Sequence, residues 1–170
     1  MEFVLAKTDH LEQLCVITEQ AKAQLKGMGV NQWQKGYPNR EVWQQDIDEN
    51  VSYVAVEGDT VMGAFMLLTS AEPSYAEIDG RWLTDTVYAS LHRVCVSNHC
   101  KGSGVAGKMF DFAFAKAKEL GFASMRIDTH PENRSMLSAI SKAGFIRCGD
   151  IRIKGGSEDG DLRVAFEKIL

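Results

Sequence analysis

Residues 91–107 read Leu-His-Arg-Val-Cys-Val-Ser-Asn-His-Cys-Lys-Gly-Ser-Gly-Val-Ala-Gly. The apolar run Val94-Cys95-Val96 stops at a polar hinge. Glycines follow at 102, 104 and 107, and apolar residues then recur at helical spacing as far as Leu120. Strand, glycine turn and helix start, in that order, present unpaired backbone N–H groups to an anion. Glycine costs backbone entropy at a helix start but lets a ligand approach the main chain closely. A turn that merely joins strand to helix explains one glycine, not three. The stretch therefore reads as a site for a phosphorylated ligand.

Three spacings compete for this loop. Gly102-x-Gly104-x-x-Gly107 has the dinucleotide pattern, and Asp128 lies about 20 residues on, where a ribose-binding acid is expected. In that pattern, however, the strand runs almost directly into the first glycine, and here Ser97 to Lys101 intervene. Gly102-x-x-x-x-Gly107-Lys108 approaches a nucleoside triphosphate loop, but Met109 stands where Ser or Thr must hold magnesium. The third spacing is Lys101-Gly102-Ser103-Gly104-Val105-Ala106. It resembles the cofactor loop of the GNAT family of acyl-coenzyme A N-acyltransferases, Arg/Gln-x-x-Gly-x-Gly/Ala, with Lys101 replacing Arg or Gln and keeping a donor. The likeness continues through the following helix, the strand Ser124 to Asp128, Asn133, a second helix and Gly144-Phe145, so it covers about residues 91–150.

The resemblance implies an α/β fold of the GNAT type. Its mixed central sheet has helices on both faces, and its middle strands, here Val94 to Val96 and Ser124 to Asp128, splay apart. It implies acetyl-coenzyme A as co-substrate. The pantetheine arm would pair with the main chain of Val94, Cys95 and Val96. The pyrophosphate would rest on Lys101, Gly102, Ser103, Gly104, Val105, Ala106 and Gly107, and Asn133 would hydrogen-bond the arm. Asn133 also reads simply as a helix cap. The implied reaction is direct attack of a small-molecule or peptide amine on the thioester. Many relatives place a Tyr acid four residues before the Gly-Phe pair, where this chain has Ile140. Tyr88 and Ser138 are substitutes for it on paper. That gap keeps open a second reading, a non-catalytic acyl-coenzyme A sensor.

For the base, His92 is the expectation. Its ordinary pKa is near neutrality, and alternation along the strand puts it on the face of Val94 and Val96. It equally fits a histidine hydrogen-bonded beneath the sheet. Glu77 and Asp79 are alternatives if a strand over Tyr75 to Asp79 lines the cleft. Cys95 reads as a small core hydrophobe, because no partnering His-Asp arrangement is visible. Trp33 and Tyr37, among turn residues, either enclose the acceptor beside Glu77 or cap the core.

The 170 residues suit one domain over 1–170, with ordinary hydrophobic (45%) and charged (25%) fractions. No apolar stretch nears the roughly 20 residues of a membrane span, and the N-terminus lacks a signal pattern. Cys15, Cys95, Cys100 and Cys148 show no zinc or redox spacing, so a reducing cytoplasm and no metal are expected. Net charge is −4, yet residues 92–154 carry 11 Lys+Arg against 5 Asp+Glu, and the remainder 8 against 18. A basic half suits a polyanionic cofactor and an acidic half a cationic amine. The absence of a basic stripe argues against nucleic acid. Monomer and homodimer both stay open.

The rest of the chain reads as follows. Asp9 and Glu12 open a helix ended by Gly27 and Gly29, and Asn39 caps a short one. Val51 to Val56 and Val61 to Leu68 form a hairpin about Glu57-Gly58-Asp59. Gly80 to Ala89 reads as a loop. Helices through Met109 and Met136 end at Gly121 and Gly144, and Phe145 to Cys148 and Leu162 to Ile169 close the sheet.

Overall fold

The computed structural model describes Met1–Leu170. In chain order it holds strand β1 (Glu2–Leu5), helices α1 (Leu11–Gly27) and α2 (Arg40–Asp48), and strands β2 (Ser52–Glu57), β3 (Thr60–Leu68), β4 (Asp79–Gly80) and β5 (Tyr88–Val96). Helix α3 (Val105–Glu119), strand β6 (Ser124–Thr129), helix α4 (Arg134–Lys142) and strands β7 (Ile146–Arg152) and β8 (Leu162–Ile169) complete it. All eight strands join one sheet in the order β1-β2-β3-β5-β6-β8-β7-β4. Only β5 and β6 pair in parallel.

The local signals hold where they are strongest. Asn39 accepts from the Val42 N–H at 3.0 Å and caps α2, and Gly144 adopts φ 83° to end α4. The β2–β3 hairpin turns where Glu57-Gly58-Asp59 indicated. The sheet has an apolar layer on each side. Phe110, Ala113 and Met109 of α3 and Ile140 of α4 pack with Phe65, Leu91 and Ile127. Leu14, Ile17 and Leu25 of α1 and Trp43 and Ile47 of α2 pack with Val54, Ala64 and Cys95. Each such side chain removed from water contributes about 1.5–3 kcal/mol, which locks the helices on both faces.

Three expectations need correction, and one strand is additional to them. No strand spans Tyr75 to Asp79. Pro73–Tyr75 is a 3-10 turn with Pro73 fixing its start, and Asp79–Gly80 is a two-residue edge strand against β7. The presumed loop before the central strand ends early, because Tyr88 already pairs with Ser124. The N-terminal residues form a strand, registered on β2 from Glu2↔Val56 to Leu5↔Tyr53. The first helix begins at Leu11, since Thr8–His10 is a separate 3-10 turn in which the Lys7 N–H bonds to His10 Nδ1.

Two backbone features shape the middle of the sheet. The β5–β6 pairing ends at Leu91↔Ile127, while β5 runs on to Val96 against β3 alone and β6 runs on against β8. The β3–β5 register also shifts, with Met66 opposite His92 but Ala64 opposite Cys95, so β5 carries an extra residue. Arg93, at φ 54°, sits in that bulge. Gly63 makes room for the distortion, since a Cβ there would lie 2.9 Å from the Cys95 carbonyl oxygen and 2.8 Å from Met109 Sδ.

Candidate active site

The gap between β5 and β6 opens into a cleft of about 940 Å³ that runs from the glycine loop to the segment 153–158. At the loop end, Gly102 and Gly104 take φ 80° and 82°, conformations that favour glycine. The first hydrogen bond of α3 runs from the Lys108 N–H to the Gly104 carbonyl. The amides of Gly102, Gly104, Val105, Ala106 and Gly107 donate to no other group of the chain, and all five residues line the cleft. A helix start of this kind concentrates partial positive charge on a small anion. Lys101 stands at its edge, its ammonium on Gln24 Oε1. Ser103 does not line the cleft. Its Oγ and its N–H both bond to the Cys100 carbonyl, at 2.6 and 3.2 Å.

Beside the loop, the Ser97 N–H bonds to Met62 of β3 and the Cys95 carbonyl lies against Gly63. Alternation therefore leaves the main-chain groups of Val94 and Val96 facing the gap. Burial pushes the Cys95 thiol up to about 12, so it is no nucleophile. Asn133 lines the cleft and caps α4, accepting from the Met136 N–H at 3.2 Å while its Nδ2 donates to Gln32 at 3.0 Å.

The other end is polar and densely connected. His92 Nε2 lies 3.1 Å from Ser90 Oγ and 3.4 Å from Glu72. Its ring stacks on Tyr75, centroid to centroid 6.1 Å. Burial lowers the His92 pKa to about 4, with Glu72 opposing the shift and Arg93 adding to it. The imidazole is therefore neutral at pH 7. The bulge also defeats the alternation argument. The extra residue at Arg93 turns His92 onto the side of Cys95, not that of Val94 and Val96.

One residue past the last β5–β6 pair stands Asp128. It accepts from Tyr75 Oη at 2.7 Å and lies 4.0 Å from Arg163. Burial raises its pKa to about 6, against the lowering effect of the Tyr75 bond and Arg163. Burial and the neighbouring Asp128 raise the Tyr75 phenol well above its ordinary range. Glu158 accepts from the Trp33 N–H at 2.6 Å and lies 2.9 Å from Arg163 Nη2. That second contact is off the line a hydrogen bond needs, so it is an ion contact only.

The aromatic wall is held from behind. Arg93 donates to both Asp46 oxygens at 2.6 and 2.7 Å and to Tyr37 Oη at 2.6 Å. The bulge, helix α2 and the loop carrying Tyr37 and Trp33 are thereby one unit, and both aromatics line the cleft.

Other sequence candidates fall outside. Glu77 is 85% exposed and pairs with Lys154 at 2.9 Å, and Asp79 lies on the far edge strand. Both come from the segment misread as a strand. Tyr88 packs its ring 3.8 Å from the Arg126 guanidinium and does not border the cleft. Ile140 is fully buried, whereas Ser138 lines the cleft. Sequence reasoning missed Glu72, Tyr75, Glu158 and Arg163, and weighed Asp128 only as a ribose ligand. Glu72, Tyr75 and Glu158 share only an acidic or aromatic character outside the longer strands and helices, whereas Asp128 and Arg163 lie on β6 and β8 and carry no local signal of a site. No group of three or more metal-ligating side chains is present, and no helix is long and apolar enough to cross a membrane.

Comparison with known proteins bears on this cleft. The acetyltransferase (GNAT) family profile matches residues 17–145. A GNAT-family acetyltransferase from Streptococcus agalactiae 2603 is 29% identical, with a TM-score of 0.86 over 99% of this chain and 95% of its own. PaiA N-acetyltransferase from Thermoplasma acidophilum, solved in complex with coenzyme A, is 18% identical, with a TM-score of 0.72 over 99% and 98%. A ribosomal-protein-alanine N-acetyltransferase from Brucella melitensis is 16% identical, with a TM-score of 0.70 over the whole of both chains. These last two likenesses are of fold. Among curated proteins no sequence match is found.

Proposed function

The chain belongs to the GNAT acetyltransferase family, and from that premise we propose that it moves an acetyl group from acetyl-coenzyme A to a primary amine by direct attack. The observation that carries this reading is the alignment of two features along one cleft. Five unpartnered amides at the start of α3 lead into the strand gap where Val94 and Val96 present free main-chain groups. The residues fit the cofactor: the amides suit a pyrophosphate, and the strand edge suits the amides of a pantetheine arm. A relative of the same fold, the Thermoplasma enzyme, is solved in complex with coenzyme A, which supports the same cofactor here. Asn133 borders this path but spends its side chain on the α4 cap and Gln32.

Bound there, acetyl-coenzyme A supplies an activated thioester carbonyl. Glu72 and Asp128 draw the acceptor in as an ammonium. Asp128 takes the base role in preference to His92. A carboxylate at about 6 is ionised at pH 7 and still basic enough to receive a proton, directly or through water, whereas an imidazole at about 4 is a poor acceptor. Main-chain N–H groups of the bulged strand polarise the carbonyl oxygen. With Ile140 buried, no tyrosine acid stands on α4. A thiol of ordinary pKa near 8.5 departs readily as thiolate. Trp33 and Tyr37 enclose the acceptor. The unit acts as one catalytic domain, and its four unpaired thiols suit a reducing cytoplasm.

Thiol release from acetyl-coenzyme A across a panel of primary amines tests the reading. Saturable, amine-dependent release is expected. Tight cofactor binding with no transfer to any amine would instead favour the sensor reading that the buried Ile140 leaves open.

A further inference from the structure

The inner end of the cleft holds more negative than positive charge, and each cation near it is already engaged. Glu72, Asp128 and Glu158 supply three carboxylates. Against them stands Arg163, whose side chain is only 2% exposed, 2.9 Å from Glu158 and 4.0 Å from Asp128. Its guanidinium is buried against those two acids, and its Nη2, without a hydrogen-bond partner, is out of contact with solvent. Arg93 is held by both oxygens of Asp46, and Lys154 turns to Glu77 on the outer rim. His92, neutral at pH 7, adds no charge. Two carboxylates are in surplus, facing the point where the strands part.

We propose that the acceptor is an amine with no ionised carboxylate beside its reacting nitrogen, so that alkyl and aralkyl amines are taken and the corresponding α-amino acids refused. The proposal rests on the acetyltransfer reading and specifies its substrate class. An α-amino acid brings an anion two bonds from its nitrogen. No free cation is present to receive that anion, and Glu72 and Asp128 repel it. An amine brings only the ammonium those acids attract. The apolar and aromatic lining, Trp33, Tyr37, Met66 and Leu68, takes up the carbon skeleton.

The test compares matched sets in the thiol-release assay: tyramine, tyrosine and tyrosinamide, and isoamylamine, leucine and leucinamide. The amide keeps the amino acid's skeleton and removes its charge. The amines are expected to exceed the acids in kcat/KM by on the order of 10- to 100-fold, and the amides to follow the amines. Glu72→Gln is expected to narrow that ratio. Acids used as well as their amines, or amides that follow the acids, overturn the proposal and leave acetyl transfer standing. Acetyl-coenzyme A bound in calorimetry with transfer to no member of either set overturns the acceptor class as well. A cofactor that does not bind overturns the underlying reading.

Discussion

Replacing Asp128 by Asn removes a charge that the fold holds at a cost. Burial lifts this carboxyl from an ordinary 3.8 to about 6. The folded chain therefore binds the proton more tightly than the unfolded chain. The group favours the folded state below pH 3.8, and that favour is lost as pH rises through about 6. A shift of about two units corresponds to about 3 kcal/mol at pH 7. Asn is neutral at every pH, and its Oδ1 can still accept from Tyr75 Oη. Asp128→Asn is thus expected to be more stable than the parent at pH 7 by about 2–3 kcal/mol, with the gap closing below about pH 4. Urea unfolding followed by circular dichroism at pH 4, 5.5 and 7 measures it, and shifts of other groups cancel in the difference. The same variant should lose about 10²–10⁴ in kcat/KM, and with it the rise in rate through about pH 6. A variant no more stable than the parent at pH 7, or a gap that ignores pH, refutes the reasoning.

Three further outcomes are expected. Asp46→Ala leaves Arg93 buried without its carboxylate and should cost about 3–5 kcal/mol, while Asp46→Ala with Arg93→Met recovers part of that stability but raises KM for the amine through loss of the Tyr37 anchor, read by unfolding and by kinetics. Gly104→Val forces a β-branched residue into a left-handed helix start, a strain of about 1–2 kcal/mol or more, and should weaken acetyl-coenzyme A binding at least about tenfold in calorimetry while leaving the far end of the cleft intact. Burial pushes the Glu167 carboxyl up, but hydrogen bonds from Ser124 and Thr84 and the charge of Arg126 outweigh it and hold the group below its ordinary 4.5. Its contribution is present above pH 4.5 and fades as pH falls below it. Glu167→Ala, which also strands the Leu83 and Thr84 N–H groups, should cost about 3–5 kcal/mol at pH 7, and less in acid.

Much of the frame was legible because its signals are local. The hairpin at residues 57–59, the Asn39 cap and the Gly121 and Gly144 stops each depend on a few neighbouring residues. The edge strands were not legible in this way. Asp79–Gly80 pairs for two residues only, and β1 is recognised by its partner β2, not by its own pattern. The bulge at Arg93 was equally silent. Nothing in Leu91 to Val96 says that three residues of β5 will match two of β3, and that single insertion reversed the face assigned to His92.

The amino-acid sequence by itself determined the glycine loop and its unpartnered amides. Gly102 and Gly104 encode their own left-handed backbone, and a helix start exposes its amides whatever surrounds it. Only the tertiary structure decided the other end of the cleft. Glu72, Tyr75, His92, Asp128, Glu158 and Arg163 come from distant parts of the chain, and their protonation follows from burial and from one another's charge. Neither exists until β5 and β6 have paired as far as Leu91 and Ile127 and then parted.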